Sequence, residues 1–411
     1  MNCNNNIPQL RFPGFSGEWE EKPLSSFLHE HKTKSDGKCE VHSVSVTKGV
    51  VNQVEYLGRS FAAADTSKYN LVKPNDIIYT KSPTGAFPYG IVKQNKNPYN
   101  VIVSPLYAVY SPINKYVGYI LDSYFESPER TNNYLSSLIQ KGAKNTINIT
   151  NDTFISKCMC LPSDPAEQQK IAECLSEIDI LIEAQGEKVD ALMEKKKGMM
   201  QQMFPQKGET APRLRFPEFK GEWKEMVLSE CLEERNEQFP EDDKYPLMAF
   251  IAGKGVSPKG EKYDRSALVK DATNKKYKRT ELGDFIYSSN NLEVGSIGFN
   301  TYGSACISPV YSIFKSRNSI DSTFIGTLLT QRRFITEMVK YRQGVVYGQW
   351  KIPESEFLKM KVSIPSPAEQ QKIAECLSAM DDMIASESEK LDALKDHKKG
   401  LMQQLFPQPN K

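Results

Sequence analysis

The clearest pattern along the chain is a row of apolar residues at alternating spacings of four and three, and it occurs twice. One row begins at Ile171 and the other begins at Ile373. This spacing places each row on one face of an α-helix and is typical of a coiled coil. Each row follows a Ser-Asp-Pro or Ser-Pro start with nearby Glu, and each ends before Phe-Pro-Gln. The sequence therefore predicts two long helices, each about 55 Å in length.

We call each row the seam of its helix. In the first helix the seam comprises Ile171, Leu175, Ile178, Ile182, Gln185, Val189, Leu192, Lys196, Met199 and Met203. In the second helix it comprises Ile373, Leu377, Met380, Ile384, Glu387, Leu391, Leu394, Lys398, Leu401 and Leu405. Of these, we expect the seam residues from Ile171 to Leu192 and from Ile373 to Leu394 to pair the two helices or to bind a partner chain. A polar residue within a seam often fixes its register, and Gln185 and Glu387 are placed to do so.

Two lysines, Lys196 and Lys398, interrupt the seams near their C-terminal ends. An antiparallel helix pair would bring Glu387 near Lys196. The commoner outcome for such lysines is that their amines extend into solvent, because proteins tolerate few buried charges. We therefore expect both lysines to be solvated.

The repeat extends beyond the helices. Residues 165–206 align without a gap to residues 367–408, and PAEQQKIAECLS is identical in the two copies. A second motif starts at Leu10 as LRFPGFSGEW and again at Leu214 as LRFPEFKGEW. Dissimilar sequence lies between each motif and the helix that follows it. This arrangement predicts one fold used twice with different surface residues.

Both dissimilar regions contain segments rich in Val, Ile, Tyr and Phe, bounded by Gly, Pro, Asn and Ser, which predict strands. We expect a mixed α/β fold in which two globular domains are joined by two long antiparallel coiled-coil helices, with a pseudo-twofold internal repeat. The first motif and first domain are predicted at 1–161, and the first helix at 162–206. The linker, second motif and second domain are predicted at 207–364, and the second helix at 365–411.

Length and composition fit a protein of two to four domains with no membrane segment. The chain has 411 residues, and no run approaches the roughly 18 apolar residues of a membrane span. Its first residues lack the features of a secretory signal, so we expect a cytoplasmic protein. The net charge of +2 argues against a nonspecific nucleic-acid coat protein, but it is compatible with sequence-specific binding.

The residues that usually carry catalysis or metal binding form no recognisable motif. The eight cysteines are scattered without a CxxC pair, and the four histidines do not complete a zinc pattern. We expect reduced thiols and no metal site. No P-loop, GxGxxG, HExxH or GxSxG motif is present in a supporting context. We therefore predict a binding protein without catalytic residues.

Basic, polar and aromatic residues cluster in predicted loops of both dissimilar regions. These residue types contact DNA bases and phosphates, although a single cluster is more often a solvated loop. The paired occurrence of a polar loop before each long helix favours nucleic-acid binding. The candidates in the first region are Lys81, Ser82, Thr84, Tyr89, Lys141, Lys144, Asn145 and Asn148. Those in the second region are Lys276, Arg279, Ser289, Asn290, Asn291, Arg342, Gln343, Tyr347, Gln349 and Trp350.

The repeated PAEQQKIAECL helix start and the repeated LRFPxFxGEW motif resemble the specificity subunit of bacterial type I restriction–modification systems. The resemblance covers essentially the whole chain. It implies a non-catalytic subunit whose two recognition domains each bind one half of a bipartite, asymmetric site in double-stranded DNA. It also implies that the helix pair is a spacer, and that the subunit binds two modification subunits and two restriction subunits. Those partners would use S-adenosylmethionine, ATP and magnesium, whereas this chain would hold no cofactor.

Two other classes of function remain open from the sequence. A stand-alone methyltransferase or nuclease is one, although no motif supports it. A coiled-coil adaptor that does not bind DNA is the other, and the different polar loops of the two halves argue weakly against it.

Overall fold

The computed structural model describes residues 6–141, 147–206, 208–258, 276–289, 292, 296–346 and 349–407. The chain divides into two compact units. Unit 1 comprises residues 1–188 and 388–411, and unit 2 comprises residues 189–387. Each unit therefore contains the first part of one long helix and the last part of the other. The domain boundaries inferred from the motifs stay a prediction.

Unit 1 contains short strands interspersed with helices. The strands are β1 (Glu20–Pro23), β2 (Leu28–Glu30), β3 (His42–Ser45), β4 (Gly49–Asn52), β5 (Asn70–Val72), β6 (Ile77–Tyr79), β7 (Val92–Gln94), β8 (Val101–Val103), β9 (Ala108–Pro112), β10 (Gln140–Lys141), β11 (Ile147–Asn148) and β12 (Cys158–Leu161). The helices are α1 (Gln53–Leu57), α2 (Lys115–Phe125), α3 (Pro128–Ser136), α4 (Asn151–Ser156) and α5 (Pro165–Gln202), and a 3₁₀ turn spans Leu24–Ser26.

Unit 2 has a closely similar order of elements. Its strands are β13 (Lys224–Val227), β14 (Leu232–Glu234), β15 (Gln238–Phe239), β16 (Ala249–Ile251), β17 (Gly255–Ser257), β18 (Tyr277–Thr280), β19 (Phe285–Tyr287), β20 (Ile297–Phe299), β21 (Ala305–Ile307), β22 (Ser312–Ser316), β23 (Gln343–Val346), β24 (Gln349–Lys351) and β25 (Lys361–Ile364). Its helices are α6 (Leu228–Cys231), α7 (Ser322–Leu329), α8 (Arg332–Val339), α9 (Glu354–Phe357) and α10 (Pro367–Leu405).

The central, four-stranded sheet has the same topology in the two units. A four-stranded antiparallel sheet has the order β2-β9-β6-β7 in unit 1 and β14-β22-β19-β20 in unit 2. The strand before each long helix pairs with the strand of the N-terminal motif, β12 with β1 and β25 with β13. Because both halves of the repeat take the same pairings, the prediction of a mixed α/β fold used twice is confirmed.

The predicted polar loops before the long helices contain two-stranded hairpins. β10 pairs with β11 in unit 1, and β23 pairs with β24 in unit 2. A short helix follows each hairpin, α4 and α9 respectively, and an aromatic residue of that helix is fully buried. Phe154 stacks on Tyr79, and Phe357 stacks on Phe285. These rings attach each hairpin to the central sheet of its own unit.

Both long helices begin as predicted, with proline in the first turn. The Asp164 carboxylate accepts a hydrogen bond from the backbone N–H of Ala166 in α5, and the Ser366 hydroxyl accepts one from Glu369 in α10. Such side chains satisfy N–H groups that have no partner within the helix. Every residue of the two seams is buried or half-buried.

Within each unit, the start of one long helix runs antiparallel to the end of the other. In unit 1, Ile171 and Leu175 share a core with Leu405 and Phe406. In unit 2, Ile373 and Leu377 share a core with Met203 and Phe204. Each domain core is therefore completed by a helix end about two hundred residues away in sequence.

The expectation that both seam lysines are solvated is wrong. Lys398 is only 8% exposed and forms ion pairs with Glu126 and Asp179. Lys196 is half-buried and forms an ion pair with Asp381, which precedes by six residues the Glu387 considered from the sequence. The burial is tolerated because carboxylates surround the amine, which the seam pattern of a single helix cannot reveal.

Candidate nucleic-acid interface

A buried Arg–Glu–Trp cluster joins the two repeated motifs of unit 1. The Arg11 guanidinium donates two hydrogen bonds to the Glu167 carboxylate, at 2.7 and 2.9 Å. The Trp19 indole N–H donates to the same carboxylate at 3.2 Å. Glu167 is 2% exposed, so its charge depends on these donors. The cluster fixes the start of α5 on the N-terminal motif.

Unit 2 contains the same cluster. Arg215 donates twice to Glu369, at 2.8 Å in both cases, and Trp223 donates at 3.3 Å. These contacts explain why LRFPxFxGEW and PAEQQ occur together in both halves. This role was not predicted from the sequence. It could have been recognised because an Arg, a Trp and a Glu recur at matching positions in both copies, as Arg11, Trp19 and Glu167 and as Arg215, Trp223 and Glu369.

The glutamine after each of these glutamates connects the long helix to the domain that precedes it. Gln168 accepts a hydrogen bond from the side chain of Asn114, the N-cap of α2, at 2.9 Å. Gln370 accepts one from the backbone N–H of Asp321, the N-cap of α7, at 3.0 Å. The identical motif thus orients an equivalent helix in each unit.

The far end of the other long helix packs on the same frame. The Leu10 N–H donates to the carbonyl of Gln404, and the Phe406 ring packs edge-on against Trp19. The equivalent contacts in unit 2 join Leu214 to Gln202 and Phe204 to Trp223. The repeated Phe-Pro-Gln sequences therefore place Phe204 and Phe406 in the two domain cores, whereas the repeated glutamines bind the frame through their backbone carbonyls.

In unit 1, several candidate DNA-binding residues lie in the exposed loop between β6 and β7. Lys81, Ser82 and Thr84 are exposed, whereas Tyr89 is half-buried and its carbonyl accepts a hydrogen bond from Tyr79. Partial burial lowers the pKa of Lys81, and the charge of Glu30 acts in the opposite direction. The loop therefore offers polar groups and a cation at the end of a buried strand.

The segment that follows the hairpin of unit 1 lies close to this loop. Glu30, whose charge acts on Lys81, accepts a hydrogen bond from Asn151, which follows the hairpin closely. Lys141 and Asn148 belong to the paired strands β10 and β11, of which the structure describes the backbone. The candidates Lys144 and Asn145 fall outside the described residues.

In unit 2, the structure brings the corresponding loop and hairpin into direct contact. The Arg342 guanidinium donates to the Ser289 carbonyl at 3.2 Å, and the Ser289 hydroxyl accepts from the Ile352 N–H at 3.0 Å. Gln343 begins β23 and is exposed. Gln349 and Trp350 lie in β24, of which the backbone is described. Asn290, Asn291 and Tyr347 lie outside the described residues.

Lys276 and Arg279 lie at a different sheet, which comprises β15, β18 and β21. Lys276 is exposed. The Arg279 guanidinium lies between the rings of Phe239 and Tyr245, at 4.3 and 4.2 Å from their centres, and pairs with Asp242 at 2.7 Å. The charge of Arg279 is therefore engaged inside unit 2, whereas that of Lys276 faces solvent.

The described part of the chain shows no metal-binding group of three or more His, Cys, Asp or Glu residues. The cysteines in that part are free thiols. Of the helices described here, none is long and apolar enough to cross a membrane.

The structure defines a class of protein, namely a duplicated α/β protein in which two dissimilar domains are each built on the same repeated helix frame. A fold of this kind is found in the crystal structure of a type I restriction–modification S subunit from M. genitalium, with a TM-score of 0.60. That match covers 98% of this chain and 100% of the other at 14% identity, so it shows the fold alone.

Residues 222–396 match the family model described as the type I restriction modification DNA specificity domain. Over these residues the match confirms the resemblance seen in the repeated motifs.

Two curated relatives come from Methanocaldococcus jannaschii. One is the MjaVIII specificity subunit of a type I restriction enzyme, 27% identical over 62% of this chain and 63% of the relative. The other is named, provisionally, as the MjaX specificity subunit, 25% identical over 61% of this chain and 59% of the relative. The matches thus span less than two thirds of either relative. Both names, like the family model, describe specificity and not a methyltransferase or nuclease.

Proposed function

We propose that this chain is the non-catalytic DNA specificity subunit of a type I restriction–modification complex. Each unit would bind one half of a bipartite, asymmetric site in double-stranded DNA. One observation carries the proposal: equivalent loops and hairpins, held on the same repeated frame, present different residues in the two units. A shared frame with unlike contact residues suits recognition of two different half-sites.

The paired long helices would set the spacing between the half-sites and bind the partner subunits. The repeat supports this part of the proposal, because two equivalent surfaces on one chain can bind two copies of one partner. We propose two modification subunits, which would use S-adenosylmethionine, and two restriction subunits, which would use ATP and magnesium. No cofactor is assigned to this chain.

The test is to map methylated positions after the purified complex with its modification subunits acts on DNA of varied sequence. A split site with a fixed gap is the expected result. Methylation without any split-site preference would contradict the proposal. Catalysis by the isolated chain with S-adenosylmethionine or magnesium would instead support the alternative that the chain is a stand-alone methyltransferase or nuclease.

Exchange of the two dissimilar regions tests whether each unit carries its own half-site. The expected product methylates the two half-sites in exchanged order, because the repeated frame is equivalent at both positions. An unchanged site would favour the adaptor that does not bind DNA.

Point variants assign the half-sites to loops. Arg342→Ala is expected to relax one half-site and Lys81→Ala to weaken the other, each by about 1–3 kcal/mol if the side chain contacts a base. Lys361→Ala is a matched control, since Lys361 is exposed in β25 and pairs with Glu225. If Arg342→Ala and Lys361→Ala gave the same methylation map, the contacts would have to lie elsewhere.

A one-heptad insertion near Gln185 tests the spacer. The expected result is an altered gap between half-sites or loss of the complex, because the insertion lengthens one helix and shifts its register. Full activity with an unchanged gap would contradict the spacer role.

A further inference from the structure

The seam lysines and their partners are equivalent in the repeat. Lys398 lies 202 residues beyond Lys196, and Asp381 lies 202 residues beyond Asp179. Lys196 contacts Asp381 at 2.5 Å within unit 2, and Lys398 contacts Asp179 at 2.6 Å within unit 1. Within its own unit, each contact therefore joins the last part of one long helix to the first part of the other in antiparallel register.

In unit 1 the lysine belongs to a larger group of charges, which we call the Lys398 cluster. Its members are Lys93, Lys96, Asp122, Glu126, Asp179 and Lys398. Three cations balance three carboxylates, so removal of Lys398 leaves an excess negative charge. Burial alone would lower the pKa of Lys398, but the carboxylates of Glu126 and Asp179 outweigh it and raise the pKa. The amine therefore stays charged in its buried position.

The seam positions around Lys398 cannot replace it. They are apolar over one heptad in each direction, at Leu391, Leu394, Leu401 and Leu405. Leu, Ile and Met exchange for one another at modest cost, so the apolar seam positions by themselves discriminate only weakly between registers one heptad apart. A slip would set a hydrocarbon side chain against Glu126 and Asp179 and leave their charges without a partner. The lysines thus distinguish one register from its neighbours.

We infer that Lys398 with Asp179, assisted by Lys196 with Asp381, fixes the register in which the two long helices pair. A single polar seam residue has this role in many coiled coils. Lys398 is the stronger determinant, since it is buried among two carboxylates, whereas Asp381 is 59% exposed. That this register also sets the gap of a split DNA site rests on the proposed function.

The experiment uses the full-length chain with the photoreactive residue benzoylphenylalanine at Met193, an exposed position beside the seam. The register that joins Lys196 to Asp381 places Met193 opposite the turn around Ile384. Cross-linked peptides identified by mass spectrometry should therefore map there in the parent chain. In the Lys196→Met, Lys398→Met double variant, we expect additional cross-links about seven residues away.

The matched control is Lys197→Met with Lys399→Met, which removes two exposed neighbours and should keep the single cross-link site. A single native cross-link site in the Lys196→Met, Lys398→Met variant would overturn the inference.

The exposed ion pair between Lys196 and Asp381 gives a second test that does not disturb the core of unit 1. Lys196→Asp should spread the cross-links, and adding Asp381→Lys should restore the native site; failure to restore it would also count against the inference. No DNA enters the readout, so this result is separate from the outcome of the DNA-recognition tests.

Discussion

Equivalent lysines near the ends of the two long helices have different surroundings in the two units. In unit 1, Lys398 is buried and belongs to a cluster of six charges. In unit 2, Lys196 is half-buried and pairs with an exposed aspartate. The lysines and their aspartate partners are repeated, so the difference arises from the dissimilar domains that pack against them.

The helix after the central sheet accounts for much of the difference. The eighth residue after the N-cap is Asp122 in α2 and Leu329 in α7. Asp122 is buried and pairs with Lys96 at 2.9 Å, whereas Leu329 is part of an apolar core. The same repeated frame can therefore pack against a domain that presents either a buried charge or an apolar side chain at this position.

The largest expected effect comes from the feature that the two units share. Glu167→Ala should destabilise unit 1 and Glu369→Ala should destabilise unit 2, each by about 3 kcal/mol, because a half-buried arginine and a buried tryptophan N–H lose their shared carboxylate. Hydrogen exchange followed by mass spectrometry can measure the loss of protection in each unit separately.

Glu173→Ala in the same helix is a suitable control, because Glu173 is half-buried and bonds only locally to Gln169 among its described hydrogen bonds. Equal losses for Glu167→Ala and Glu369→Ala would support equivalent clusters. A loss below about 1 kcal/mol in either unit would show that the cluster is not what holds the helix start there.

A smaller and unequal effect is expected at the lysines that differ between the units. Lys398→Met should cost unit 1 about 2 kcal/mol, because Glu126 and Asp179 lose a shared, buried partner while keeping some access to water. Lys196→Met should cost unit 2 about 0–1 kcal/mol, as is usual for an exposed pair. The same hydrogen-exchange measurement compares them, and equal costs would contradict the asymmetry.

Much of the fold followed from the sequence because it depends on local periodicity. Heptad spacing and proline starts predicted both long helices, and β-branched segments predicted strands such as β6 and β19. The contacts of Lys398 could not be predicted, because Glu126 lies 272 residues away and nothing in the seam indicates it. The same limit applies to Glu167, which the pattern presented as a helix-start residue and which tertiary contacts make part of the core.

The candidate interface was predictable in kind but not in residue-level detail. The sequence indicated polar segments before each long helix, and the structure places hairpins there. It also suggested Arg279 as a free cation, whereas two aromatic rings and Asp242 engage that side chain. Residue type and local sequence do not reveal such pairing, since the partners come from separate segments. The assignment of individual DNA-contacting residues stays a prediction.

The smallest expected effect is a difference in the response of the two units to acid. Burial would raise the pKa of Asp122 in unit 1, but Lys93 and Lys96 outweigh it and the pKa is lowered. Burial raises the pKa of Asp284 in unit 2 because Arg235 and hydrogen bonds offset it only in part. The two buried aspartates therefore couple to pH with opposite signs.

The stability contributed by Asp122 is present above its unfolded pKa, near 3.9, and is lost as pH falls through its lower folded pKa. The penalty at Asp284 is present above its raised folded pKa and is relieved as pH falls towards the unfolded value. Between pH 6 and 3, Asp122→Asn should therefore flatten the loss of unit 1 stability, and Asp284→Asn should steepen that of unit 2. Hydrogen exchange, corrected for its intrinsic pH dependence, can measure how the stability of each unit changes with pH. If both substitutions changed that dependence in the same direction, the two aspartates would not couple to pH with opposite signs.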